Sequence, residues 1–177
     1  MKLGTLDFQP VESVLDLVSE PTKRGIVGNN LSGVVVAEID QELSDTAVFC
    51  EKYQIAAENA VNCVIIEAKR ADKVWYAACM IPATKKADVN GIVRKELDAK
   101  KVSFAPMGKA TGLTGMEFGA INPIGLPADW PILVDINAAN LNYAIIGSGI
   151  RKSKLLVTGK LLASLPNAKV LTLEKLA

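Results

Sequence analysis

The sequence contains no histidine. Whatever chemistry the protein carries out must therefore run without imidazole as a base, metal ligand or pH switch. Cysteine is scarce as well. Cys50, Cys63 and Cys79 lie far apart and form no CxxC pair. Three such residues build no disulfide framework, and without histidine they lack the spacing of a structural zinc site. Long apolar runs are missing too: the longest is about eight residues, against the ~20 needed to cross a bilayer. The N-terminus, MKLGTLDFQPVES, has no apolar signal core. A reducing, cytoplasmic setting with no membrane partner is expected. The net charge is only +1, so global electrostatics argue for no polyanion and DNA is not expected as a partner. No P-loop or GxGxxG fingerprint occurs. Gly147-Ser148-Gly149 lacks the third glycine and following helix of a dinucleotide site. No cofactor and no metal are expected.

What is present fits a soluble globular chain. Half of the 177 residues are hydrophobic and 22% are charged, enough to bury a real core in a single domain. The order of elements alternates between strand and helix. Val34–Ile39 is a β-branched run and predicts a strand. Ser44-Asp45-Thr46 offers a helix cap, and the helix runs to about Tyr53. Val61–Ala68 and Val74–Ile81 predict two antiparallel strands, joined by a charged turn and ended by Pro82. Asp88–Leu97, acidic at its start and basic at its end, suits a helix. Lys101–Phe104 predicts a short strand, and Pro106 opens a helix reaching about Thr114. Further strands are expected at Pro131–Val134, Tyr143–Ile146, Lys154–Val157 and Val170–Leu173, with a short helix over Gly159–Leu165. Gly25, Gly28 and Gly33 interrupt any period near the N-terminus. Residues 1–43 are therefore read as a less defined N-terminal extension.

The most informative stretch is Leu113–Asp135, LTGMEFGAINPIGLPADWPILVD, with three glycines and three prolines between apolar flanks. Glycine lets a backbone approach a ligand closely, and proline fixes its own angle and restricts its predecessor. Gly119-Ala120-Ile121-Asn122-Pro123 thus reads as a rigid, shaped loop whose backbone N–H groups are available to a ligand. A tight structural turn is the alternative. Thr114-Gly115, the stretch Gly119–Gly125, Val134-Asp135 and Gly147-Ser148-Gly149 together resemble the signature of the YbaK and prolyl-tRNA-synthetase-associated editing domains, which are aminoacyl-tRNA deacylases. The resemblance runs from about residue 44 to about residue 173.

That resemblance implies an α/β fold with a mixed, strongly curved, barrel-like sheet of about seven strands and flanking helices. It also implies trans-editing, the hydrolysis of an amino acid wrongly esterified to tRNA. The partner would be the aminoacyl-tRNA 3′ end, with an aminoacyl-tRNA synthetase as a further candidate. Catalysis would use Gly119, Ala120, Ile121, Asn122 and Pro123 to stabilise the tetrahedral oxyanion. A ribose hydroxyl of the terminal adenosine would help to activate water. Family members carry a lysine on the strand after the first helix, and Cys63 stands at that place here. A lysine would supply fixed positive charge near the ester or the terminal phosphate. Cysteine supplies none, so Cys63 is read as a wall residue or, less simply, as a thiol nucleophile. Lys69 lies about 20 Å further along the strand, too far to replace it.

The substrate-binding set expected beside the loop is Cys63, Asp135, Gly147, Ser148 and Gly149. Asp135 has a structural alternative, holding the chain around the loop. Arg151, Lys152, Lys154 and Lys160 form the densest basic stretch; the first three are candidate tRNA contacts, with a solvated surface as the alternative. Two other functions remain open. One is a catalytically silent module that binds aminoacyl-adenosine, a tRNA end or a nucleotide. The other is a hydrolase of another small ester or amide. A cationic group elsewhere in the pocket would favour catalysis over silent binding.

Overall fold

The computed structural model describes residues 1–174. Its strands are β1 (Lys2–Leu3), β2 (Leu6–Asp7), β3 (Gln9–Pro10), β4 (Val35–Glu38), β5 (Val61–Arg70), β6 (Lys73–Pro82), β7 (Lys101–Phe104), β8 (Ile132–Asp135), β9 (Ala144–Gly147), β10 (Ser153–Val157) and β11 (Ala168–Leu171). Its α-helices are α1 (Glu20–Gly28), α2 (Thr46–Tyr53), α3 (Arg94–Glu96), α4 (Met107–Thr114), α5 (Ile136–Ala139) and α6 (Gly159–Ser164).

These elements make a mixed α/β fold, but not the single strongly curved, barrel-like sheet of about seven strands that the resemblance implied. Two separate sheets form, one of five strands in the order β11-β8-β6-β5-β7 and one of four in the order β3-β4-β10-β9. A small β1–β2 hairpin stands apart. The first sheet is mixed: β6 and β8 are parallel, as are β8 and β11, while β5 is antiparallel to both β6 and β7. The second is antiparallel throughout. The sheets touch through one isolated parallel bridge, Ala60 to Ile145. Beyond that bridge β5 and β9 do not pair, and both line a cavity.

Side-chain alternation explains the layering. Along β10, Leu155 and Val157 join Val36, Ile146, Met80 and Val134 in the core shared by the two sheets. The intervening Leu156 faces the other way, onto Phe8, Ala37 and Phe49. A strand places successive side chains on opposite faces. Lys154 therefore shares the face of Leu156, toward Phe49 of α2. On β6 the same alternation sends Ala77, Cys79 and Ile81 to the outer core with Leu97 and Val102, and Met80 to the inner one.

The N-terminal region is more than an extension. Strand β3 pairs with β4, and β4 with β10. Helix α1 begins with Pro21 in its first turn, and Ser19 caps it by accepting the Thr22 N–H at 3.3 Å. Both are standard helix-start signals. The predicted helix at Asp88–Leu97 opens instead as a π-type turn over Val89–Val93 before the short α3. The Asp88 carboxylate accepts the Gly91 N–H at 3.0 Å, and a glycine there leaves the wider turn unhindered. Among the described residues no helix is long and apolar enough to cross a membrane.

Candidate functional site

A cavity of about 510 Å³ opens between β5, β9, β10, α2, the start of α4 and the loop after α4. Val61, Cys63 and Ile65 form one wall, Ile145 to Gly147 another, and Thr46 and Phe49 a third. Phe104, Met107 and Phe118 also line it, yet each is more than half exposed. They form an apolar rim.

Gly119 and Ile121 line the cavity, whereas Ala120, Asn122 and Pro123 are buried behind the wall and do not. The N–H groups divide the same way. Ala120 N–H donates to the Glu117 carbonyl at 3.1 Å, and Asn122 N–H to the Met116 sulfur at 3.5 Å. Among the described residues, Gly119 and Ile121 N–H donate to no protein acceptor. Gly119 has φ +77, a backbone state in which glycine is the unstrained choice.

The loop is clamped from two sides. Gly149 N–H donates to the Ala120 carbonyl at 2.8 Å, Glu117 N–H to the Gly149 carbonyl at 2.9 Å, and Arg151 N–H to the Glu117 carboxylate at 2.6 Å. A side chain at Gly147 would collide with the Ala120 carbonyl, so strand and loop approach closely because residue 147 is glycine. From the other side, Asn122 is fully buried. Its amide donates to Thr22 Oγ1 at 2.8 Å, and its carbonyl oxygen accepts Ile124 N–H at 2.8 Å. Gly125, at φ +88, lies so close to Pro21 that no side chain fits.

The remaining sequence candidates divide likewise. Cys63 lines the cavity. Burial pushes its thiol well above the usual range, and the nearby Cys79 adds to the effect. The thiolate needed for nucleophilic attack is thus disfavoured. Asp135 is fully buried and does not line the cavity; its two oxygens accept Asn137 N–H and Leu173 N–H, each at 2.9 Å. Ser148 is also buried outside the lining. Its carbonyl accepts Ser19 N–H at 3.1 Å, and its hydroxyl donates to the Ile150 carbonyl at 2.9 Å. Gly149, at φ +87, packs against Ser19 and Thr22.

Of the basic stretch, Lys152 is exposed. Arg151 is held by the Asp45 carboxylate at 3.4 Å and the Phe118 carbonyl at 3.3 Å. Lys154 is not on a solvated face. It is 6% exposed, lines the cavity and donates to the Ser44 carbonyl at 2.8 Å, with its ammonium 5.1 Å from the Phe49 ring centre. Burial lowers its pKa to about 8, and Arg151 adds to the lowering. The strand alternation on either side of Lys154 was the signal for its inward direction.

Next to the cavity, Glu67 is buried beneath Lys69, Lys109 and Tyr76, at 2.7, 3.0 and 3.0 Å. Lys69 is thus committed to this cluster. Tyr76 stacks on Trp130 at 5.3 Å, and Trp130 packs with Ile65 and Ile121 beneath the loop. Among the described residues, no group of three or more Cys, Asp or Glu side chains is placed to hold a metal.

The family described as the aminoacyl-tRNA editing domain matches residues 40–165. No curated protein matches the chain in sequence. Solved structures share the fold, among them these two. A candidate trans-editing enzyme for prolyl tRNA synthetase is 15% identical with a TM-score of 0.75, over 89% of this chain and 99% of its own. The hypothetical protein APE2540 is 18% identical with a TM-score of 0.77, over 88% and 100%.

Proposed function

Because the chain belongs to the aminoacyl-tRNA editing domain family, we propose that it is a trans-editing hydrolase, which cleaves the ester of a wrongly aminoacylated tRNA at the Gly119 loop. One observation carries the reading: Gly119 and Ile121 line the cavity, and their N–H groups have no protein acceptor among the described residues. Attack of water on the ester carbonyl places negative charge on its oxygen. Two N–H donors on a clamped loop stabilise that charge without reorganising, and loss of one such donor costs on the order of a hundredfold or more in rate.

The other groups fit supporting parts. The raised thiol pKa of Cys63 favours direct attack by water over a thioester intermediate, with a ribose hydroxyl of the terminal adenosine helping to activate that water. The apolar wall of Val61, Cys63 and Ile65 receives the amino-acid side chain. The exposed rim of Phe104, Met107 and Phe118 offers the terminal base a surface for stacking, as single-stranded ends require.

Purified protein assayed against a panel of mischarged tRNAs tests the reading. It should release the amino acid from at least one. Gly119→Val should abolish that release while the protein stays folded, because a β-branched residue is strained at φ +77 and its Cβ would stand 2.8 Å from the Arg151 guanidinium. Undiminished release by a folded Gly119→Val would remove the loop from the mechanism.

A further inference from the structure

The wall of the cavity that resembles the family's lysine-bearing strand carries Cys63, a neutral group, yet the cavity does not lack a cation. Lys154 enters it from β10. Register fixes the position: Lys154 pairs with Gly147 on β9, and Gly147 abuts Ala120 of the loop. Lys154 is the one lysine or arginine among the described cavity-lining residues.

Its surroundings leave its charge unmatched. The ammonium donates to one carbonyl, that of Ser44, and rests near the Phe49 ring. Among the described residues it makes no ion pair. Asp45, the acidic residue in the cavity lining, is bound to Arg151 instead. Burying a cation without a counter-charge is costly, and hydrophobic neighbours would have served packing better. An ammonium has three donors, and one protein bond accounts for only one of them. A neutral ester carbonyl would leave the charge uncompensated in the ground state, whereas a phosphate neutralises it fully.

We propose that Lys154 is the anion anchor of the cavity, supplying from β10 the positive charge that Cys63 does not supply from β5, and that it binds the phosphate of the substrate's terminal nucleotide. The assignment rests on the nucleotide-end reading of the cavity given above. It adds a specific residue, and a ground-state role separate from the loop donors.

The test is binding of adenosine 5′-monophosphate, adenosine and inorganic phosphate, measured by titration calorimetry on wild type, Lys154→Met and Lys154→Arg. Methionine is close in length and apolar, so the variant should fold. The wild type should bind the monophosphate at least about tenfold more tightly than adenosine, a difference of about 1.4 kcal/mol. Lys154→Met should lose that preference and leave adenosine binding unchanged. Lys154→Arg should keep part of it. The preference should also fade as pH rises through about 8, where the buried ammonium loses its proton. Arg151, Asp45 and Cys50, whose thiol burial pushes up, are the other ionisable groups acting on it. A structural lysine would give no such pH-dependent selectivity.

Equal affinity of the wild type for adenosine and its monophosphate would overturn the proposal, as would unchanged selectivity in Lys154→Met. Inorganic phosphate binding as tightly as the monophosphate would overturn the nucleotide assignment. Deacylation measured in parallel separates the two readings. A wild type that selects the monophosphate but cleaves no aminoacyl ester keeps Lys154 as anchor and defeats the hydrolytic function. A Lys154→Met enzyme that cleaves with wild-type KM and kcat defeats the anchor and keeps the function.

Discussion

The Asn122 side-chain amide donates to Thr22 Oγ1 at 2.8 Å, both groups buried and 100 residues apart in the chain. The same side chain accepts Ile124 N–H. The residue before Pro123 therefore holds the loop to the first turn of α1, and its polar atoms serve the fold. The cavity is left to Gly119 and Ile121.

Asn122→Ala should destabilise the protein by ~1–3 kcal/mol, because it leaves the Ile124 N–H without its buried acceptor and the Thr22 hydroxyl with Ser19 alone. Thr22→Val should cost less. The double variant should be less destabilised than the sum of the two, with coupling of at least about 0.5 kcal/mol. Thermal and denaturant unfolding measure all three. Strict additivity would show that the contact is energetically idle.

The far ends of the chain explain what the sequence disclosed and what it hid. The β5–β6 hairpin, β7 and the Pro106-opened helix were legible because each is local: an apolar run, a charged turn, a proline at a helix start. The unusual loop was legible from its glycines and prolines. The side of its clamp that comes from α1 was not, because Gly25 and Gly28 hide the helical period there. Ser19 followed by Pro21 was the available signal. Gly25 is required by packing, since a side chain there would strike Gly125, and that is invisible without the fold. Lys154 misled in another way. It lies in a basic stretch that reads as surface, but β10 turns alternate residues to opposite cores and takes it inside. The barrel-like sheet was misjudged because which strands pair into one sheet or two is set by long-range contacts, which no local pattern encodes.

Buried Lys154 makes stability and pH move together over a defined range. Its folded pKa of about 8 lies below the ordinary 10.5, so between those values the unfolded chain holds more protons than the folded one. Stability from this group should therefore rise as pH increases from about 8 to about 10.5. In Lys154→Met that rise should disappear, and stability at neutral pH should equal or exceed wild type. Denaturant titrations at pH 7, 8, 9 and 10 read the difference. A parallel rise in both proteins would assign it to another group.

At Glu67 the sign is opposite. Hydrogen bonds from Lys69 and then Lys109 hold its carboxyl at about 2, below the ordinary 4.5. Its contribution is present above about 4.5 and is lost as pH falls toward 2. Glu67→Gln should lower stability at pH 7 by ~1–3 kcal/mol and flatten the acid limb of the stability curve. An unchanged acid limb would show that other carboxylates dominate it.

The rim should act on binding. Phe104→Ala and Phe118→Ala remove exposed rings from the cavity mouth, and stacking of a base is worth ~1–3 kcal/mol. Each should raise KM for the cleaved aminoacyl-tRNA roughly fivefold or more with little change in kcat and in thermal stability. A fall in kcat at constant KM would place the rings at the reacting centre instead.

Cys63 should prove passive. Cys63→Ala should change kcat/KM by less than about tenfold, or ~1.4 kcal/mol of barrier, and iodoacetamide at neutral pH should leave activity intact. Loss of activity in a folded Cys63→Ala, together with inactivation of the wild type by alkylation, would establish a thiol nucleophile.

The most direct measurement of the central claim is amino-acid release from a panel of mischarged tRNAs by wild type and Gly119→Val, with folding of both verified by circular dichroism. The wild type should accelerate release from at least one mischarged tRNA well above the spontaneous rate, and Gly119→Val should return it to that rate. No acceleration across the whole panel, or equal acceleration by the two proteins, would contradict the account.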